Sequence, residues 1–375
     1  DQVNIVVHGH NPVVSEMVSK ACQDKALVDL AKEKGAGGIN LVGVCCTGNE
    51  LLMRRGIAMA GNHLMTELIL STGAVDMMIV DYQCIMPSLG KVAACYHTRM
   101  VSTSDKAKFP HMAHHEFHPH NAEKKAVEVV RSAVENYVNR GKVLIPVTSQ
   151  EAVGGFSVEA ILGALGGTPE PLIEAIKAGK IRGAVGIVGC NNPKIKHDYG
   201  HVTLTRRLIE NDILVVDTGC VAVATAKAGF KVPAAADMAG PGLKAICNAL
   251  GIPPVLHMGS CVDNVRILVL VSALADALGI DISDLPVAGS APEWYSEKAV
   301  TIGTYFVASG VTTHLGPMPP ITGSMNVVNL LTSGLKDVVG ATFAVEPDPE
   351  KAAVFLRRTI EGKRKALGLD ARSVD

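Results

Sequence analysis

One unit keeps returning along this chain and limits what it can fold into: a short β-branched run, a turn rich in glycine, then a helix-like segment. Val3–Val7 leads into His8-Gly9-His10-Asn11-Pro12, Gly38–Val44 into Cys45-Cys46-Thr47-Gly48-Asn49, and Val75–Val80 into Asp81-Tyr82-Gln83-Cys84. After a loop around Ser149–Phe156 the pattern resumes. Ala184–Val188 runs into Gly189-Cys190-Asn191-Asn192-Pro193, Ile213–Val216 into Asp217-Thr218-Gly219-Cys220, and Val255–Met258 into Gly259-Ser260-Cys261. Short strands alternating with helical spacers build parallel sheets, so the fold class is α/β. The pattern predicts two doubly wound, Rossmann-like domains with mainly parallel sheets, residues 1–150 and 151–375. A run ending in Pro146 is expected to close the first set. The second is expected to end with the strand Ala341–Val345 and a charged helix from Pro349 to about Ala366.

Composition narrows the class further. With 375 residues the chain exceeds what one core usually organises. Its 35 basic and 36 acidic side chains nearly cancel, which argues against a nucleic-acid binder or a protein held on anionic lipid by charge. The longest apolar stretch, from Ile267, is broken by Asp276, so no membrane span is expected. Nine cysteines, an odd number in a long chain, do not make a secreted disulfide framework, and a reducing cytoplasm fits best.

Position sorts those cysteines. Cys22, Cys95 and Cys247 fall inside expected helices and read as small buried hydrophobes. Cys46, Cys84, Cys190, Cys220 and Cys261 lie just past expected strand ends, as do His8 and His10. That edge is where doubly wound sheets bind ligands. No pair has the two-to-four-residue spacing of a structural zinc site apart from the adjacent Cys45-Cys46, and there is no Cys-x-x-Cys. Ligands this dispersed must be brought together by tertiary folding. Five thiolates and an imidazole exceed one tetrahedral zinc and point to a multinuclear iron–sulfur site. The five histidines of Pro110–His120 read as a solvated loop. Lys298 is expected to share a helix face with Trp294, Ile302 and Tyr305, an unusual place for an amine without a task. A nucleotide-binding site is disfavoured, because no Gly-x-Gly-x-x-Gly follows the first strand.

These strings resemble a family. His8-Gly9-His10-Asn11-Pro12, Cys45-Cys46-Thr47-Gly48-Asn49-Glu50, Gln83-Cys84-Ile85-Met86-Pro87, Gly189-Cys190-Asn191-Asn192-Pro193 and His257-Met258-Gly259-Ser260-Cys261-Val262-Asp263-Asn264 look like the anaerobic nickel-dependent carbon monoxide dehydrogenase catalytic subunit. Ala288-Gly289-Ser290-Ala291-Pro292-Glu293-Trp294, followed by Glu297-Lys298-Ala299, is similar as well. The resemblance implies a prismane or hybrid-cluster-like architecture and a nickel–iron–sulfur cluster, a cubane joined to one outlying iron. It implies Cys261 on nickel, His10 and Cys46 on the outlying iron, and Cys84, Cys190 and Cys220 on the cubane irons. His10 over His8, and Cys46 over Cys45, rest on motif alignment. The implied reaction is CO + H2O ⇌ CO2 + two protons + two electrons, with CO on nickel and hydroxide on the outlying iron. Lys298 is then the cation that stabilises the substrate oxygen. A ferredoxin-like acceptor and a homodimer are implied too.

The family's subunit normally begins with a helical domain carrying further iron–sulfur clusters, and nothing here matches it. The chain is then a fragment of a longer subunit or a shortened relative, and additional clusters are expected only where that domain is present. Two readings compete with a carbon monoxide dehydrogenase: a hybrid-cluster hydroxylamine reductase type, and a non-catalytic metallocluster-binding module.

Overall fold

A computed structural model describes residues 1–374 and divides the chain into two compact units, Asp1–Ser149 and from Gln150 onward. The first is built on β1 (Val3–His8), β2 (Ile39–Val44), β3 (Met59–Gly61), β4 (Met77–Val80), β5 (Arg99–Ser102) and β6 (Ala113–His114). All pairs are parallel, in the order β3-β2-β1-β4-β5-β6. Order reverses between β1 and β4, the two central strands. Both are almost wholly buried, because helices cover both faces of a doubly wound sheet. Helix Pro12–Cys22 begins where the first motif says it should: Asn11 caps it by accepting the Val13 N–H at 3.0 Å, and Pro12 opens its first turn.

The second unit repeats the plan with β7 (Gly183–Ile187), β8 (Ile213–Thr218), β9 (Val255–Gly259), β10 (Val287–Ala291), β11 (Thr313–Leu315) and β12 (Phe343–Val345). Its order is β12-β11-β10-β7-β8-β9, again parallel throughout, with the reversal between β7 and β10. Each sheet therefore has the topology that places a ligand crevice beyond the carboxyl ends of its two central strands. Helix Pro349–Ala366 closes the unit, with Asp348 as its cap. The two all-parallel sheets match the expected fold class.

Three local expectations fail. The run ending in Pro146 is not a strand: Val143–Val147 lies on the surface, with Val147 fully exposed, and β6 occupies that sheet edge instead. Cys95 lies in a turn after the helix Leu89–Ala93 and is exposed, not buried. Trp294 is not on the Lys298 helix. That helix starts at Glu297 because Ser296 caps it, and its buried face is Ala299, Gly303, Phe306 and Val307. Ile302 is partly buried and Tyr305 is 47% exposed, so Lys298 stands at a half-buried helix start beside the core rather than on an apolar stripe.

Candidate metal centre

In the first unit the donors gather where the strand order reverses. β1 ends at His8, and His10 follows on the loop to the first helix. Cys45 and Cys46 open helix Cys45–Arg55 directly after β2, and Cys84 follows β4. All five are buried. The ligand atoms of His10, Cys45 and Cys84 lie within 4.8 Å of one another, and His10 and Cys46 are equally close. His10 Nε2 is 4.0 Å from Cys84 Sγ. His8 is directed elsewhere: its Nε2 is 3.1 Å from the Cys84 carbonyl oxygen and serves as a tether.

The backbone at two of these cysteines is strained. Cys45 (φ 62°) and Cys84 (φ 61°) sit in the left-handed region, which costs a side-chain-bearing residue roughly 1–2 kcal/mol. Hydrogen bonds hold both in place, from Asn49 Nδ2 to the Cys45 carbonyl at 2.7 Å and from His8 to that of Cys84. A third group, which sequence reasoning missed, ties the loops together. Asp81, the first residue after β4, is 2% exposed. Its Oδ2 accepts the His10 and Asn11 N–H groups, each at 2.5 Å, and its Oδ1 accepts those of Tyr82 and Gln83 at 2.5 and 3.3 Å. Gly9 explains the glycine of the first motif: at φ +141°, a Cβ there would lie 2.0 Å from Asp81 Oδ1. His63 was missed as well. Burial pushes its imidazole down to about 4, so it stacks near His8 as a neutral ring.

In the second unit buried cysteines again stand just past strand ends. Cys190 follows β7, Cys220 follows β8, and Cys261 follows β9; each is at most 4% exposed. His201 Nε2 lies 2.9 Å from the Cys190 carbonyl, as His8 does for Cys84. Glu293, fully buried just past β10, accepts the Gly200 N–H at 2.8 Å and Asn191 Nδ2 at 3.1 Å. The Cys220 and Cys261 loops are joined by the Gly219 N–H donating to the Gly259 carbonyl at 3.0 Å. Behind Cys220, Asp217 accepts from Lys231 Nζ and Thr225 Oγ1, each at 2.6 Å, all three groups buried. Lys298 starts its helix half-buried, its N–H on the Ser296 cap at 3.3 Å.

The remaining cysteines and histidines are of another kind. Burial pushes Cys22 up to about 12 and Cys247 up to about 11, which keeps them as inert thiols. The Pro110–His120 segment is not wholly a loop, since β6 lies within it, but it is largely solvated, and among the described residues its imidazoles form no three-donor group.

His257, on β9 behind the cysteine edge, carries a pH prediction. Burial, reinforced by Lys231, lowers it to about 4. A folded-state value below the unfolded one near 6.5 means that the unfolded chain takes up a proton the folded chain refuses. Stability is therefore complete above about pH 6.5 and falls as pH drops toward 4, by up to about 3 kcal/mol from this group. Urea midpoints of metal-free protein at pH 7 and 4.5 should converge in His257→Gln relative to wild type. Identical slopes in the two proteins would remove His257 from the account.

Two doubly wound parallel sheets whose strand ends present buried thiols and an imidazole define an α/β protein with donors suited to soft metals. The chain belongs to the prismane/CO dehydrogenase family, whose model matches residues 1–350. It is 61% identical over 372 residues to carbon monoxide dehydrogenase 1 of Methanosarcina mazei, covering 99% of this chain and 59% of that one. Against carbon monoxide dehydrogenase 2 of Carboxydothermus hydrogenoformans it is 45% identical, covering 98% and 60%. The nickel-free crystal structure of carbon monoxide dehydrogenase from Thermococcus sp. AM4 superposes with a TM-score of 0.94 at 58% identity, over 99% of this chain and 59% of that one. The chain thus spans about three-fifths of the length of each of these three proteins. Among its described residues no helix is long and apolar enough to cross a membrane.

Proposed function

We propose that this chain is the part of a carbon monoxide dehydrogenase that holds the catalytic metal centre, and that it interconverts CO plus water with CO2, two protons and two electrons. The observation that carries the reading is the donor set. Soft sulfur ligands and one imidazole occupy the carboxyl ends of both doubly wound sheets, buried, on loops whose backbone is held in place before any metal is considered. That chemistry fits a nickel–iron–sulfur centre and does not fit a hard cation. In this reading His10, Cys46, Cys84, Cys190, Cys220 and Cys261 are its ligands, with Cys261 the thiolate on nickel. When bound, such a centre supplies a soft metal for CO, a Lewis-acidic iron for water and a store for two electrons.

The chain's own residues do the rest. Buried loops exclude bulk water and so strengthen each electrostatic contact with the substrate. Lys298, in the first turn of its helix, donates to a substrate oxygen and stabilises the negative charge that grows there. Electron exit to a ferredoxin-like carrier and pairing as a homodimer belong to the same proposal.

The test is direct. Anaerobically prepared protein should contain nickel, several irons and acid-labile sulfide, and should reduce a viologen dye under CO. Iron without nickel, with hydroxylamine reduction in place of CO oxidation, would replace this reading with the hybrid-cluster one. Both metals without turnover would leave a metallocluster-binding module.

A further inference from the structure

The two sheets share a device that their metal ligands alone do not require. At each reversal of strand order, one buried carboxylate stands just past a central strand and binds backbone N–H groups belonging to the loop or helix start beyond the other central strand. Asp81 follows β4 and holds the loop after β1; Glu293 follows β10 and holds the helix start at Gly200, after β7. At each reversal an imidazole also binds a cysteine carbonyl, His8 on Cys84 and His201 on Cys190. The pairing recurs in two units with unrelated local sequences, so it reflects a requirement of the strand-end loops rather than an accident of one of them.

The geometry points to Asp81 as a positioning residue for the metal centre, an inference that rests on reading the strand-end donors as metal ligands. Its two oxygens take four N–H groups, two on the loop carrying His10 and two on the loop carrying Cys84. It thereby sets the His10–Cys84 separation, which is already 4.0 Å between ring nitrogen and sulfur. No ordinary packing residue does this: Asp81 touches backbone on both sides of the crevice, and Gly9 has no room for a side chain because the carboxylate is there. Glu293 is its counterpart in the second unit. Without Asp81 each loop can drift separately, and the imidazole and the thiolate no longer meet one metal.

The experiment uses reduced, metal-free full chain under strict anaerobiosis, titrated with Co2+ as the probe. Thiolate-to-cobalt charge-transfer and d–d bands report sulfur and imidazole ligation whatever the native cluster is. Asp81→Asn, which leaves one accepting oxygen where there were two, should bind Co2+ about 10–100-fold more weakly and with altered d–d bands. The control is Asp76→Asn. Asp76 is equally buried in the same unit, but at the opposite sheet edge, where it binds Arg140, His97 and the Asn4 N–H. Its loss should lower the melting temperature and leave cobalt binding unchanged. Wild-type affinity and spectrum in Asp81→Asn overturn the inference. Should that variant fail to fold, Gly9→Ala sets a Cβ against the Asp81 carboxylate and should weaken cobalt in the same direction; an unchanged affinity there overturns it too. A wild type that binds cobalt this way and an Asp81→Asn that does not, in a protein that never takes up nickel, supports the positioning role and defeats the carbon monoxide reading instead.

Discussion

Cys261→Ala is expected to fold, to retain iron, and to emerge from anaerobic expression without nickel and without CO-dependent dye reduction. The fold should survive because this turn carries its own cap. Ser260 Oγ accepts the Val262 N–H at 3.2 Å, and Asp263 Oδ2 accepts the Ser260 N–H at 2.7 Å, a reciprocal cap at the start of a helical turn. Gly259 (φ +127°) leaves no space for a Cβ, which would meet Asp263 Oδ2 at 2.4 Å. These contacts are made by neighbours of residue 261. Removing one buried sulfur costs only about 1 kcal/mol of packing. Removing the proposed nickel thiolate deletes a direct ligand, so the loss of turnover should exceed the roughly 10–100-fold that loss of an outer partner costs. Nickel-to-iron ratios by elemental analysis, dye reduction under CO and thermal melting are measured on the same preparation. A variant that keeps its nickel and turns over CO would take Cys261 out of the ligand set.

What was legible in the sequence follows from how much each position depends on its own neighbours. β1 and β8 read clearly because Val-Asn-Ile-Val-Val and Ile-Leu-Val-Val carry branched side chains into a sheet buried on both faces. β10 did not, because Val-Ala-Gly-Ser-Ala offers almost no β-branched signal. It is a central strand whose small residues let neighbours close in, with a Gly289 Cβ position only 3.1 Å from Thr313 Oγ1. Val143–Pro146 failed for the opposite reason: its local pattern is strand-like, but the place beside β5 is taken by β6. The donors were visible because a cysteine or histidine just past a strand end is placed by the strand itself. Asp81 and Glu293 were not, since an acidic residue after a strand is common, and its value depends on N–H groups about 70 and 90 residues away in sequence. Gly9 carried half of that signal, as a glycine between two histidines. Its partner could be found only in three dimensions.

The largest stability effect is expected far from the cysteines, at the amino-terminal edge of the second sheet. Arg182, next to the start of β7, is 1% exposed. Its Nε and Nη2 donate to the two oxygens of Glu361 at 2.8 and 2.5 Å, and its Nη1 donates to Asp370 at 2.6 Å. Glu361 comes from helix Pro349–Ala366, so the pair fastens the last helix to the central strand. Arg364, also buried, donates to the carbonyls of Ile176, Arg182 and Asp370. Burial alone would raise Glu361, but Arg182 and the Arg372 N–H outweigh it and hold the carboxyl below its usual range. Glu361→Ala leaves two guanidinium groups in a low-dielectric site with only the largely exposed Asp370 carboxylate nearby, a loss of about 3–5 kcal/mol. The second unit should then melt roughly 10 °C lower. Glu361→Gln keeps the shape and one acceptor and should lose less. Because the folded carboxyl titrates low, the stabilisation is present above about pH 4.5 and fades as pH falls through the folded value, so wild type and Glu361→Ala should converge in acid. Urea unfolding monitored at pH 7 and pH 3 measures both arms. A change below about 1 kcal/mol at pH 7 would mean that helix packing, through Ala352, Leu356 and Ile360, holds this edge without the ion pair. At the expected magnitude, the cysteine-bearing edge of the sheet depends on a salt bridge at the other end of its strands.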